Sequence, residues 1–383
     1  MKRTISLTLT ALALTFNVAS GQEKEVNFDK TYMSNNDGKT TIEINESQEL
    51  IYIILALTDL GKENPNMTKQ HTAYFEEVKT HFSPFSTLPV VKKFDQLLRE
   101  NLINYFLLAG NAYGFHFKDN QLIPTKIYIF PAKGIGKFQV KINPINSYLK
   151  ELEEFVNKTG YREFYRKHLP YYDSLKAEYL TYASIAEQKE WLKRKFDYKI
   201  NSYRVLTSPL IAGMIATHTF EDKGFKEILL FLPTLREDES WSMKFRKAIN
   251  TRIIFTEIDH NYVGPVSEKN AERINAIFQH REKWVNAANK STEHYPNPIK
   301  VYDEYLTWGL FILYCYDKIG DDHDLFGQIV DNINDMMINK KGFPKAKEFN
   351  AELLRIYKNN KDNQIEHLYR PLLDWSERET VGF

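Results

Sequence analysis

Thr256, Glu257 and His260 are the residues of this chain whose types and spacing best suit a chemical site. Thr256 and His260 are four residues apart, so on a helix they share one face, with Glu257 one step around it. In the motif H-E-x-x-H the same spacing lets two histidines bind zinc while the glutamate acts as general base. Here a threonine stands where the first histidine would be. The sequence therefore raises the question of whether a metallopeptidase site survives that replacement.

Glu304, on a later predicted helix, is a further donor for such a site. A catalytic zinc takes three protein ligands and an open position for water, whose pKa it lowers to about 7. His260 would supply an imidazole nitrogen and Glu304 a carboxylate, while Glu257 would be the base that activates the water. Thr256 marks the lost ligand position, because a neutral hydroxyl is a poor substitute for imidazole on zinc.

Three interpretations of this constellation stay open from the sequence. A histidine from elsewhere, His218 or His280, can fill the missing ligand position. Glu257 can itself bind the metal beside His260 and Glu304, which would leave the site without a base. The third interpretation is that His260 and Glu304 form a buried hydrogen-bonded pair between two helices, as a relic of the site.

The remaining histidines and the single cysteine have simpler explanations. His280, His294 and His323 are predicted at the surface. The acidic run at residues 321–324 predicts an N-capped helix start rather than a metal cluster. Cys315 lies in an apolar run, which predicts a buried thiol.

The elements that must position these residues are mostly helices. Hydrophobic periodicity predicts a helix over residues 240–263, ended by Gly264-Pro265, and another over residues 300–317. Residues 204–216 and 226–232 are predicted strands, and the first is a candidate edge for binding an extended peptide by strand addition. The predicted fold class is α+β, predominantly helical, with a small antiparallel sheet beside the motif-bearing helix.

The part of the chain before these strands is also predicted to be largely helical. Its predicted helices cover residues 47–57, 67–82, 90–113, 145–158 and 160–196, and a strand pair is predicted at residues 126–130 and 138–142.

The composition limits the partners that we expect. The chain has 51 basic and 50 acidic residues, a balance that gives no electrostatic reason to expect nucleic acid as a partner. Lys2 and Arg3 precede an apolar run and then small residues, which predicts a secretory signal peptide over residues 1–21. We therefore expect export to the periplasm or the extracellular space. No later stretch is long enough to predict an integral membrane segment in the mature chain.

Two segments resemble those of a family of secreted bacterial proteins known as a domain of unknown function. Its members carry a His-Glu-x-x-His-Ser-Phe-Val-Asn-Pro-like segment, which residues 256–265 resemble, and an Asn-Glu-Tyr-Leu-like segment, which residues 303–306 resemble. Ser208-Pro209-Leu210 and Gly342-Phe343-Pro344 also fit the family. The resemblance implies a zincin-like fold of the gluzincin type, zinc as cofactor, and a peptide or protein as substrate or ligand.

These observations give an expected organisation and function. We expect a signal peptide at residues 1–21, an irregular N-terminal arm at 22–45 and one zincin-like domain at 46–383. That domain would have a helical part at residues 46–200 and a motif-bearing part at 201–383. The expected function is that of an exported protein derived from a zinc metallopeptidase, with a degenerate site and weak or no hydrolysis. The alternative is a non-catalytic binding module of the cell envelope that uses the old cleft.

Overall fold

Helices make up most of the α+β fold and surround one small mixed sheet, as the predominantly helical prediction required. The computed structural model describes residues 24–130, 134–135, 138–360 and 364–381. The expected signal peptide at residues 1–21 lies outside the described residues. In the described part of the chain, no helix has both the length and the apolar character that crossing a membrane requires.

The helices and strands follow one another along the chain in long helical runs broken by short strands. The α-helices are α1 (Lys30–Asn36), α2 (Glu46–Leu57), α3 (Asp59–Glu63), α4 (Ala73–Phe82), α5 (Pro89–Glu100), α6 (Ile103–Ala112), α7 (Leu149–Thr159), α8 (Tyr161–Lys167), α9 (Leu169–Tyr182), α10 (Ile185–Lys195), α11 (Met243–Ile258), α12 (His260–Lys269), α13 (Ala271–Phe278), α14 (Arg281–Trp284), α15 (Pro298–Ile319), α16 (His323–Asp335), α17 (Ala346–Asn359) and α18 (Tyr369–Val381). The strands are β1 (Thr40–Glu43), β2 (Phe115–Lys118), β3 (Gln121–Pro124), β4 (Gly134–Ile135), β5 (Phe138–Gln139), β6 (Ser202–Ser208), β7 (Ala216–Asp222) and β8 (Phe225–Pro233). Short 3-10 turns at Ser83–Phe85, Pro144–Tyr148, Lys290–His294 and Ile365–Leu368 and a π-helix at Met336–Lys341 complete the described elements.

The main sheet has the strand order β1-β6-β8-β7. Strands β1, β6 and β8 are parallel, whereas β7 runs antiparallel to β8 and forms one edge. The prediction of an antiparallel sheet was therefore wrong for three of the four strands. A long helical crossover separates β1 from β6, and a connection of that kind permits parallel pairing.

The described residues form three hydrophobic clusters, of which two are large and meet near the sheet. One cluster gathers apolar side chains from residues 44–175 together with Leu210 and Ile211. The other gathers side chains from residues 179–373, including those of α11, α12 and α15. Ile215 packs against both clusters, at the connection between β6 and β7.

Several predictions for the N-terminal part need correction. Residues 22–45 are not an irregular arm, because they contain α1 and the sheet strand β1. The single helix predicted over residues 90–113 is two helices, since the chain leaves helical geometry at Asn101. The strand predicted over residues 126–130 is limited to a bridge between Val26 and Tyr128, and the second predicted strand is limited to β5.

The prediction for the motif-bearing helix was correct at its start and wrong at its end. The Ser242 side chain accepts a hydrogen bond from the Phe245 N–H and caps α11. The chain then bends at Asp259 and continues as α12 through Gly264 and Pro265 to Lys269. Gly264 does not adopt the left-handed conformation with which glycine ends a helix, so the Gly-Pro pair does not act as a stop.

Gly342 fixes the end of the π-helix that carries Lys341. Its φ is +81°, a value that favours glycine, and its N–H bonds to the Met337 carbonyl. A Cβ at this position would stand 2.8 Å from the Asn289 Cβ and 2.9 Å from the Thr292 Cγ2. The backbone strain and the close contacts both restrict this position to glycine.

We expect Gly342→Ala to lower the free energy of unfolding by about 2–3 kcal/mol, because it adds left-handed strain to a steric clash. Gly224→Ala is the matched control, because Gly224 has φ +75° and a Cβ added there would have no described neighbour within 4 Å. Only the backbone strain remains in this variant, so we expect it to lower the free energy of unfolding by about 1 kcal/mol. Urea unfolding of both variants measures the difference. Equal losses would contradict the steric account of Gly342.

Candidate functional site

His260 and Glu304 lie next to each other on two neighbouring helices. His260 is the first residue of α12, and Glu304 lies in the second turn of α15. The His260 Nε2 is 3.7 Å from the Glu304 Oε2, which is close but too long for a hydrogen bond. The other ring nitrogen, Nδ1, is 3.3 Å from the Thr307 hydroxyl, one turn further along α15. The structure thus brings together the two residues that the sequence proposed as metal ligands.

The Glu304 carboxylate is held by a lysine that the sequence analysis did not identify. The Lys341 ammonium donates a hydrogen bond to the Glu304 Oε1 at 2.7 Å, and the Glu304 side chain is only 3% exposed. Burial would raise the pKa of Glu304, but the charge of Lys341, together with His260 and the hydrogen bonds of Lys341 and Tyr295, holds that pKa below its usual value. Burial also opposes the charge on Lys341, and Glu304 reverses that effect and raises the lysine pKa. Each charge therefore stabilises the other.

Two aromatic residues complete the surroundings of this ion pair. The Trp308 indole N–H donates to the Glu304 Oε1 at 2.8 Å, and Lys341 also donates to the Tyr295 hydroxyl at 2.9 Å. The Lys341 nitrogen lies 5.1 Å from the centre of the Trp308 ring. A cation over an indole face is attracted by the ring quadrupole, which further favours the charged lysine.

The donors of this site, as they stand, do not suit zinc. The Thr256 hydroxyl donates back to the Arg252 carbonyl at 3.1 Å, so it is used within its own helix. The Glu304 Oε1 is engaged by Lys341 and Trp308. Throughout the described ranges, no three His, Cys, Asp or Glu side chains converge as metal ligands would. We therefore derive no chemical step through a metal.

Glu257 and Arg252 lie beside the ion pair, and its charges shift their pKa values. Burial and the negative charge of Glu304 raise the pKa of the half-buried Glu257 to about 7. Arg252 is 6% exposed, its Nε has no hydrogen-bond partner, and its guanidinium lies 4.6 Å from the Trp308 ring centre. The site thus contains two monovalent cations, Arg252 and Lys341, close to two glutamates. A zinc ion in a gluzincin-type site would supply the same charge in a single dication.

Two further carboxyl groups near the site, those of Asp259 and Asp303, have raised pKa values. Asp259 is completely buried and neither carboxyl oxygen has a hydrogen-bond partner. Burial raises the pKa of Asp259 well above its usual value, and burial also raises that of Asp303 to about 6. Burial therefore disfavours the charged form of Asp259 and Asp303, whereas the neighbouring cations favour the charged form of Glu304.

The histidines considered as replacement ligands lie in other surroundings. His218 is on β7 between Phe220 and Phe231, and burial lowers its pKa to about 4. His280, His294 and His323 are exposed, as predicted.

The predictions for the acidic run and the cysteine are also confirmed. The Asp322 side chain accepts a hydrogen bond from the Leu325 N–H, so the acidic run does begin a helix. Cys315 is a buried free thiol, as the apolar run around it predicted.

Strand β7 forms an edge of the sheet directly beside the site. The Thr219 hydroxyl on β7 donates to the side-chain oxygen of Asn261, the residue that follows His260. Among the described residues, only β8 pairs with β7, so the outer edge of β7 has no backbone partner there. The segment predicted as an edge strand, residues 204–216, is a strand only over residues 204–208, which belong to β6 inside the sheet between β1 and β8, and at Ala216, the first residue of β7.

The sequence analysis missed Arg252, Trp308 and Lys341, although two of them carried a usable signal. Arg252 stands four residues before Thr256, and Trp308 stands four residues after Glu304, so each shares a helical face with a predicted site residue. Lys341 precedes Gly342 on a π-helix about 37 residues beyond Glu304, and no periodicity indicates where its side chain lies.

Comparison of the chain with protein-family models, with curated proteins and with solved structures found no match in any of the three.

We expect Lys341→Met to lower the free energy of unfolding at pH 7 by about 3 kcal/mol, because it leaves the buried Glu304 carboxylate without its cation. The matched control is Lys341→Met combined with Glu304→Gln, which removes the orphaned charge and should recover most of that loss. Urea unfolding gives both values. If Lys341→Met alone is as stable as the wild type, the ion pair does not stabilise the fold.

The raised pKa of Glu257 gives a stability change with a defined sign. Its pKa rises from 4.5 to about 7 on folding, so the contribution is favourable below pH 4.5 and is lost as the pH rises through 7. Compared with Glu257→Gln, which stays neutral, the wild type should lose stability between pH 5 and pH 8, as measured by urea unfolding at each pH. A difference that stays constant over that range contradicts the raised pKa.

Proposed function

We propose that the protein is an exported, zincin-fold relative of zinc metallopeptidases whose site hydrolyses peptide bonds weakly or not at all. The proposal rests on one observation: the Lys341 ammonium bonds to the carboxylate that a gluzincin would offer to zinc, while His260 faces the same carboxylate. Thr256 stands at the lost ligand position, and its hydroxyl is engaged by the Arg252 carbonyl. Export follows from the sequence pattern of residues 1–21.

The charges around Glu304 support a loss of the metal in which positively charged side chains took over its charge and the fold was kept. Removing a dication from between two glutamates would leave buried negative charge, which costs several kcal/mol. In this chain Arg252 and Lys341 supply two positive charges close to Glu257 and Glu304. The site is therefore compensated without metal, and the helix pair keeps its packing.

The mixed sheet supports the proposed zincin-like fold, and its edge strand lies beside the candidate site. In the described part of the sheet, the one antiparallel strand is the edge strand β7, and Thr219 on that strand contacts Asn261 beside His260. An extended peptide that added to the open edge of β7 would pass the His260 ring. Backbone hydrogen bonds would supply affinity in this mode of binding, and neighbouring pockets would supply specificity.

A non-catalytic peptide-binding module of the cell envelope is the second candidate function. It is favoured by the same open edge of β7, which needs no metal to bind a peptide strand. The two candidates differ in one measurable respect. Binding by the module is unaffected by a chelator, whereas residual hydrolysis requires a metal-activated water.

We expect the wild type to bind zinc weakly, Thr256→His to bind it more tightly, and Thr256→His with Lys341→Met to bind it most tightly. The double variant restores an imidazole ligand and removes the competing ammonium, which together should raise the affinity by about a thousandfold, or roughly 4 kcal/mol. Zinc titration calorimetry of the purified mature proteins measures the order.

Adding His260→Ala to that double variant is the control and should abolish the gain, because it removes the second imidazole. A chelator-sensitive peptidase activity in the wild type that disappears in Glu257→Gln would overturn the degenerate-site proposal. If none of the variants binds zinc, the gluzincin derivation itself is contradicted.

A further inference from the structure

A cavity of about 630 Å³ opens at the carboxyl end of β8, and neither His260 nor Glu304 lines it. It lies between the two halves of the chain, with Lys69 and Tyr171 on one side and the segment from Thr234 to Trp241 on the other. In sheets with parallel strands, ligands often bind beyond the carboxyl ends of the strands. The volume is in the range of pockets that bind small molecules.

Two cations line this cavity without a carboxylate partner. The Lys69 ammonium donates to the Thr234 hydroxyl at 2.6 Å, and in the described residues neither Lys69 nor Arg236 has a carboxylate within salt-bridge distance. Burial and the charge of Arg236 lower the pKa of Lys69. Burial and the same arginine lower the pKa of Arg252 on α11. Like charges held together in this way are stabilised by an anion placed between them.

The carboxylates at the cavity already have partners, but they keep free capacity to accept hydrogen bonds. Arg246 pairs with both Glu178, at 3.7 Å, and Glu237, at 3.1 Å. Asp238 accepts hydrogen bonds from the N–H and the hydroxyl of Ser240. A carboxylate offers about four acceptor positions, so each can still accept from a ligand hydroxyl.

Aromatic rings form the opposite walls of the cavity. The Tyr171 side chain stacks on Tyr74, with ring centres 5.6 Å apart, and is 38% exposed. Trp241 is half-buried and contacts Phe245 edge-on. Rings that are held by packing and exposed on one face are suited to the flat, apolar face of another ring.

We propose that this cavity binds a saccharide unit that carries one anionic group. Lys69 and Arg236 bind the anionic group, Glu178, Glu237 and Asp238 accept from the hydroxyls, and Tyr171 and Trp241 contact the ring. A neutral sugar would leave the two cations unpaired. An aromatic acid without hydroxyls would leave the free acceptor positions of the three carboxylates unused. An acidic saccharide satisfies all three groups of residues.

This binding site is independent of the proposed metallopeptidase-derived site. Arg236 lies beside Asn250 on α11, to which its backbone N–H donates, and Glu257 lies seven residues further along that helix, roughly 10 Å along its axis. His260, Glu304 and Lys341 are not among the residues that line the cavity. Substitutions at His260 should therefore leave saccharide binding unchanged, and the two proposals can fail separately.

The test is a calorimetric titration of the mature protein at low salt with three probes: trigalacturonate, glucose 6-phosphate and neutral maltotriose. We expect at least one anionic probe to bind ten times more tightly than maltotriose, and 0.5 M NaCl to weaken that binding because the attraction is electrostatic. Preference for trigalacturonate assigns a carboxylate, and preference for glucose 6-phosphate assigns a phosphate.

Variants locate the binding in the cavity. Arg236→Gln should lower the affinity for the anionic probe at least tenfold. The Arg236 side chain is exposed, so its removal spares the fold. Arg370→Gln, an exposed arginine on α18, is the matched control and should bind like the wild type, as should His260→Ala. Equal affinity for the anionic and neutral probes, or an unchanged affinity in Arg236→Gln, would overturn the proposal.

Discussion

The buried ion pair between Lys341 and Glu304 is the interaction on which the centre of the molecule depends. Glu304 is 2% exposed in the second turn of the helix α15, which packs against α12, α13, α16 and α17. A lone carboxylate in that position would be destabilising by several kcal/mol. Lys341 makes the ionised form tolerable, and the π-helix that ends at Gly342 brings it there. The π-helix therefore places the cation that compensates the buried Glu304 carboxylate.

If the chain derives from a metallopeptidase, as we propose, the same ion pair would account for a scaffold that keeps its packing without a metal. Where a gluzincin holds one dication, this site holds two monovalent cations, Lys341 and Arg252, near Glu257 and Glu304. The charge sum is retained, but an ammonium cannot offer an open coordination position to water. Under the proposed derivation, the substitution would preserve the packing of the two helices and remove the chemistry, so stability and catalysis would be separated.

The sequence predicted much of the fold and part of the site. The helices α2, α11 and α15 followed from apolar periodicity, and the proximity of His260 and Glu304 was expected from the gluzincin-type arrangement of their segments. The direction of the strands did not follow, because parallel pairing depends on the path of distant crossovers. Lys341 could not be predicted either, since its side chain reaches Glu304 only through the π-helix.

The Gly264-Pro265 prediction shows a limit of local signals. A Gly-Pro pair ends a helix when the glycine adopts a left-handed conformation, and Gly264 remains helical. The bend occurs instead at Asp259, a buried carboxyl without a hydrogen-bond partner beside His260. Tertiary surroundings decided where the chain turns, and the local sequence did not reveal them.

The most direct test of this account is an NMR measurement of the Lys341 ammonium in isotopically labelled mature protein during titration with zinc. The account predicts a protonated, slowly exchanging ammonium in the metal-free protein, bonded to Glu304 and unchanged by one equivalent of zinc. Loss or displacement of that signal at one equivalent, with a matching change at the His260 ring, would show that zinc takes the place of the lysine and would contradict the account.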